Sequence, residues 1–191
     1  RRFGPARREG KLRIGYLSGD LCMHAVGMLT AELFELHDRE RVEVHAFCWS
    51  REDGTPLRAR ILRAMDSVTR LVGVDDETAA RAIAQAGIDV LIDLQGLTSG
   101  ARPNILAYRP APVQVSYLGL PATTAITGVD WIIADRFVMP EDYLPYCTER
   151  PIYLEHCYQV SDRQREVAPT PSRARYQLPE DAFVFCFFNN N

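Results

Sequence analysis

The sequence predicts an α/β fold: a doubly wound, mostly parallel sheet with helices on both faces. Three observations predict it. Short runs rich in Ile, Val and Leu recur along the first 135 residues. Amphipathic stretches separate those runs, so strand and helix alternate. The chain of 191 residues is 47% apolar, enough for one substantial core.

Each element follows in order. Leu12–Leu17 is the first strand, and Val26–His37, with Val26, Leu29, Leu33 and Leu36 on one stripe, is the first helix. Arg41–Trp49 alternates at period two and is the second strand. "DGT" then supplies a turn and cap before Pro56 and the helix "LRARILRAM". Thr69–Val72 is a short third strand, followed by the helix "DDETAARAIAQAG", acidic in its first turn and ended by Gly87. Ile88–Leu94 is a buried strand, and "PVQVSYL" and "DWIIAD" continue the sheet. Residues 11–135 thus form one Rossmann-like domain behind a basic linker, 1–10. From 136 to 180 the prolines at 140, 145, 151, 169, 171 and 179 leave only short pieces, a connector. Ala182–Phe188 then opens a fresh strand, read as the start of a second domain over 181–191.

The totals exclude several classes. A net charge of −3 gives no basic face for nucleic acid. No run approaches the roughly 20 apolar residues of a membrane span, and no signal-type segment follows the Arg-rich start, which places the protein in the cytoplasm. Five scattered cysteines without a CxxC spacing suggest neither disulfides nor zinc.

A doubly wound sheet binds ligands at the carboxyl ends of its strands. Two loops lie there, "SGDLCMHA" from Ser18 and "QGLTSGAR" from Gln95. Neither is a GxGxxG or GxxxxGK[ST] fingerprint, so dinucleotide and P-loop readings lose their support. His24 is either a quiet loop imidazole beside a helix or a group aimed into the cleft, able to take an acceptor hydroxyl's proton. His37, His45 and His156 read as structural. For Gln95 and Thr98 turn chemistry competes with a binding role, and Asp93 reads as a loop-capping carboxylate or a catalytic one. No Asp-x-Asp doublet or histidine pair is present, so no metal is expected. A flavodoxin-like receiver is disfavoured, since the only lysine is Lys11.

The wording of these segments is more specific than their physics requires. "LRIGYLSGDLCMHAVGML", "GIDVLIDLQGLTSGARPNILAYRPAPVQVSYLGLPATT" and "FVFCFFNNN" closely resemble the catalytic region of the O-linked N-acetylglucosamine transferase and SPINDLY family in its bacterial form, from about Lys11 to the last residue. The resemblance implies the amino-terminal lobe of a GT-B glycosyltransferase, with residues 181–191 starting the nucleotide-binding lobe. It implies inverting, metal-independent transfer of N-acetylglucosamine from UDP-GlcNAc to Ser or Thr of a protein acceptor, without a cofactor. Partners would be that acceptor, the sugar nucleotide, the chain's own C-terminal lobe and preceding tetratricopeptide repeats. Alternatives are O-fucosyl or N-glucosyl transfer within the same family, or a non-catalytic protein-binding scaffold.

Residue by residue, the family's "D-F-x-x-H-P" histidine falls on His24, with Leu21 for Phe and Ala25 for Pro. "N-G-Y-T-K-G-A-R" is similar to "QGLTSGAR", which puts Thr98 near the donor sugar and Gln95 against the acceptor backbone, while Leu97 and Ser99 replace Tyr and Lys. "G-Y-P-G-T-S-G" appears as "GLPATTA", keeping Gly119, Pro121 and Thr123, and the resemblance implies a substrate-binding place for Pro121. Asn190 takes the place of a nucleotide contact. A fragment lacking the second lobe is expected to be inactive alone.

Overall fold

A computed structural model describes residues 10–187. Its seven strands form one parallel sheet in the order β3-β2-β1-β4-β5-β6-β7. β1 (Leu12–Ser18), β2 (Val42–Cys48) and β3 (Ser67–Arg70) run outward in one direction. The chain then returns to β4 (Val90–Asp93) beside β1 and continues outward through β5 (Val113–Ser116), β6 (Trp131–Ala134) and β7 (Arg150–Tyr153).

Helices cover both faces, and successive residues of one strand feed opposite cores. Tyr16 packs with Phe34 of α1 (Ala25–Glu35) and Ile61 of α2 (Pro56–Arg63). Its neighbour Leu17 packs on the other face with Ile83 of α3 (Asp76–Ala86) and Ile105 of α4 (Pro103–Ala107). In β2, Val44, Ala46 and Cys48 enter the first core and Phe47 the second, so the period-two pattern read in the sequence sorts side chains between two buried layers. The helix ends follow their caps. Thr55 and Asp75 accept from the N–H groups of Arg58 and Thr78, and Gly87 takes the left-handed conformation that closes α3.

The structure departs from the sequence reading at four places. Leu36, read on the stripe of the first helix, is exposed, and α1 buries Val26, Thr30, Ala31 and Phe34 instead, the face turned to the sheet. β3 is Ser67–Arg70 rather than Thr69–Val72, because pairing with His45–Cys48 fixes its register. The sheet does not end at Asp135: β7, inside the segment read as connector, pairs with β6 as an edge strand, where Pro151 is tolerated. Residues 182–187 form no strand. Phe183, Phe185 and Phe187 are 82%, 90% and 77% exposed and pair with neither outer strand of the sheet, β3 or β7. Phe188 to Asn191 lie outside the described residues.

Candidate active site at the β1/β4 switch point

Strand order reverses between β1 and β4, so the loops leaving their carboxyl ends splay apart and leave a crevice. The β1 loop is held by side chains of the segment that follows β2. The Leu21 N–H donates to Ser50 Oγ at 2.9 Å and the Met23 N–H to Asp53 Oδ2 at 2.6 Å. Those Met23 and Thr55 amides draw the Asp53 carboxyl down to about 2. Gly27 permits the fold-back, because a Cβ there would sit 2.2 Å from the Cys22 carbonyl oxygen.

His24 caps α1. Its Nδ1 accepts from the Val26 N–H at 3.3 Å, and Asp20 Oδ2 lies 3.7 Å from the same nitrogen. An Nδ1 that accepts is unprotonated, so a neutral ring carries its proton on Nε2. That Nε2 makes no hydrogen bond among the described residues.

The β4 loop is built around Asp93. Its buried carboxylate accepts from the Gln95 and Gly96 N–H groups at 3.3 and 2.8 Å. Burial pushes Asp93 up to about 6 against the pull of those amides. Gln95 is 2% exposed and both ends of its amide are used. Oε1 accepts from the Gly19 N–H at 2.7 Å and Nε2 donates to the Ser99 carbonyl at 3.0 Å. Gln95 therefore lies behind the pocket wall, tying the β1 loop to the β4 loop. Thr98 Oγ1 donates to the Gln95 carbonyl at 2.9 Å, which leaves its lone pairs facing outward as acceptors. The third wall closes on the same residue: Gly119, at φ 55°, comes so near that a Cβ would meet the Gln95 carbonyl oxygen at 2.5 Å.

Together these loops enclose an open pocket of about 300 Å³. His24, Asp20 and the first turn of α1 form one side, Thr98 and Ser99 a second, Leu118 and Gly119 a third, and Tyr158 and Gln159 the last. The structure thus brings His24 and Thr98 to one cavity. Pro121 is exposed and does not line it, and Asn190 lies outside the described residues. Thr123 and Thr124 are instead anchored to the buried carboxylate of Glu149. Burial opposes that charge, but hydrogen bonds from Thr123, Thr124 and Thr148 hold Glu149 below the usual carboxylate range.

Sequence reasoning missed Asp20 and the strap carrying Tyr158. Asp20 stands four residues before His24 within the quoted loop, so its spacing was a usable signal. Tyr158 had none. It reaches the site through the Tyr117 hydroxyl, which donates to its carbonyl at 2.7 Å, and through Asp135 Oδ2, which accepts from its N–H at 2.8 Å. The other histidines are engaged elsewhere: His37 Nε2 pairs with the Tyr16 hydroxyl at 2.8 Å, His45 Nδ1 with Ser67 Oγ at 2.7 Å, and His156 is exposed. Among the described residues no group of three or more His, Cys, Asp or Glu is placed to hold a metal, and no helix is long and apolar enough to cross a membrane.

Comparison with known proteins places this geometry among relatives. Residues 3–170 match the family model described as Glycosyl transferase family 41. The chain is 40% identical over 194 residues to an Arabidopsis thaliana protein named "Probable UDP-N-acetylglucosamine--peptide N-acetylglucosaminyltransferase SEC", covering 97% of this chain and 20% of that one. A Caenorhabditis elegans UDP-N-acetylglucosamine--peptide N-acetylglucosaminyltransferase is 39% identical over 153 residues, covering 80% of this chain and 13% of the relative. Among solved structures, a mutant O-GlcNAc transferase of Thermobaculum terrenum superposes with a TM-score of 0.74 at 32% identity, over 78% of this chain and 29% of that chain. The chain spans about a fifth or less of the length of these curated relatives.

Proposed function

Since this chain belongs to glycosyl transferase family 41, we propose that it is the amino-terminal lobe of a GT-B enzyme that moves N-acetylglucosamine from UDP-GlcNAc to a Ser or Thr hydroxyl of a protein. One observation carries the proposal: His24 and Thr98, on the loops after β1 and β4, line the same pocket at the switch point of the sheet.

Transfer with inversion needs an acceptor oxygen that attacks the anomeric carbon from the face opposite the leaving diphosphate. The acceptor must lose its proton and the diphosphate must have its charge stabilised. In the arrangement described, His24 Nε2–H is a donor, suited to hold a sugar or acceptor oxygen. For Nε2 to take the acceptor proton, the ring proton must move to Nδ1, where Asp20 Oδ2 stands as the charged partner. That exchange gives up the cap to Val26. Thr98 offers acceptor lone pairs to a sugar hydroxyl, and Gln95 holds the two loops at a fixed separation. No Lys or Arg lines the pocket, so the counter-charge for the diphosphate would come from the second lobe.

The test is transfer by the full-length protein. Labelled UDP-GlcNAc, GDP-fucose and UDP-glucose are supplied separately with a mixture of protein acceptors, with and without a chelator. The expected result is incorporation from UDP-GlcNAc, unaffected by chelation, giving a sugar of inverted anomeric configuration. Incorporation from GDP-fucose or UDP-glucose alone would replace the donor, and a rate that collapses with the chelator would remove the metal-free mechanism.

A further inference from the structure

Beside the pocket, on the other side of the His24 loop, lies a second depression of about 400 Å³. Its floor is apolar: Met23 and Met28, 46% and 36% exposed, face Pro56 and Leu57 of α2. Its walls are fixed. Arg60 of α2 forks onto Glu35 of α1 and Asp162 of the strap at 2.7 and 2.6 Å, so α1, α2 and the strap hold one another in place. Resting on the transferase reading above, we infer that this groove binds the acceptor polypeptide, seating an apolar side chain that is flanked by acidic residues.

Charge supports the acidic flank. The carboxylates around the groove are already used: Asp162 by Arg60 and the Gln164 N–H, Asp53 by the amides of Met23 and Thr55. Arg63 and Arg165, which also line the groove, have no ion pair or hydrogen bond among the described residues. The two rim charges without an ion pair or hydrogen bond are therefore both positive, Arg165 acting on the Asp162 carboxylate only through space. Position supports the acceptor as occupant. Met23 precedes His24 directly, about 3.8 Å away along the backbone, so a peptide lying on Met23 places its next residues at the pocket. Thioether side chains yield to different shapes, which suits a surface that accepts many sequences.

The experiment uses the full-length protein and two synthetic acceptor peptides sharing one Ser and one apolar residue. In one the flanking residues are Asp and Glu, in the other Asn and Gln. The acidic peptide is expected to have the higher kcat/KM, by about tenfold at low salt, with the advantage shrinking as salt rises. Arg63→Glu with Arg165→Glu should erase that advantage, lowering kcat/KM for the acidic peptide more than for the neutral one. Met28→Gln should lower kcat/KM for both peptides through KM. Equal use of the two peptides by the unaltered protein overturns the inference. So does a charge reversal that slows both alike, or one that makes sedimentation reveal a loosened assembly, which would mark the groove as an internal interface. If the unaltered protein glycosylates neither peptide nor any protein, the transferase reading itself fails, and the two failures are told apart.

Discussion

His24 does two jobs that a single substitution can separate. As N-cap it satisfies the Val26 N–H, and as a pocket residue it faces the crevice. Ala removes both functions, whereas Asn is a good N-cap without a usable base. In the full-length protein, His24→Ala should lose transfer and roughly 0.5–1 kcal/mol of stability. His24→Asn should lose transfer at nearly unchanged stability, and urea unfolding beside an activity assay checks both. A His24→Asn variant as active as the parent would return the histidine to a capping role. Asp93 makes a pH prediction. Its folded-state value is raised to about 6, so the unfolded chain gives up this proton near pH 4 while the folded protein still holds it. The stability contributed is complete below about pH 4, falls as pH rises to about 6, and is level above that. With two units at 1.36 kcal/mol each, the loss is on the order of 3 kcal/mol. Asp93→Asn should flatten that descent in urea midpoints measured from pH 4 to 7. That His24 and Thr98 share one pocket was legible, because their loops follow strands directly. The bonding of the Gln95 amide was not legible, because it is fixed by Gly19, 76 residues earlier, a contact no local pattern encodes.

At the scale of elements, the segment from Tyr158 to Gln164 acts as a strap across α1. Arg163 donates through its backbone N–H and its guanidinium to Glu32 in the middle of the helix, and these hydrogen bonds hold the Glu32 carboxyl below the usual range. The strap thereby fixes Tyr158 and Gln159 against the wall that α1 supplies, so both sides of the pocket hang on one helix. Glu32→Ala in the full-length protein should expose the strap to protease near Arg163 and Arg165. It should also raise KM several-fold with kcat nearly kept, because positioning is lost and chemistry is not. A drop in kcat with unaltered KM would contradict this. The fold-back at Gly27 should be as strict: Gly27→Ala is expected to cost about 1–3 kcal/mol, since the displaced atom is a backbone carbonyl and cannot rotate away. The early elements were readable because caps and apolar stripes are local. β7 was not, because "RPIY" has neither alternation nor length, and becomes a strand only by pairing with β6.

For the molecule as a whole, the order of elements up to β6 was readable, because central strands such as β1 and β4 feed two cores and leave apolar runs. The terminal segment was readable as composition but not as structure. A row of phenylalanines at 183, 185 and 187 has strand character yet stays exposed and joins neither edge of the sheet. The pocket is exposed in the same sense. It is open, it is lined by one carboxylate and one imidazole, and no cation faces it. A diphosphate brought there would meet Asp20 and little to offset its own charge, whereas electrostatic stabilisation is the largest single contribution to transfer of this kind. The described residues, prepared alone, should therefore bind UDP-GlcNAc at least about a hundredfold more weakly than the full-length protein, which corresponds to roughly 2.7 kcal/mol. They should also bind a hydrophobic dye through the exposed phenylalanines, a signal the full-length protein should lack. Calorimetry with UDP-GlcNAc and dye fluorescence on both proteins measure these differences. Equal affinity would mean that the nucleotide is held by this lobe alone, and the division of labour between two lobes would have to be abandoned.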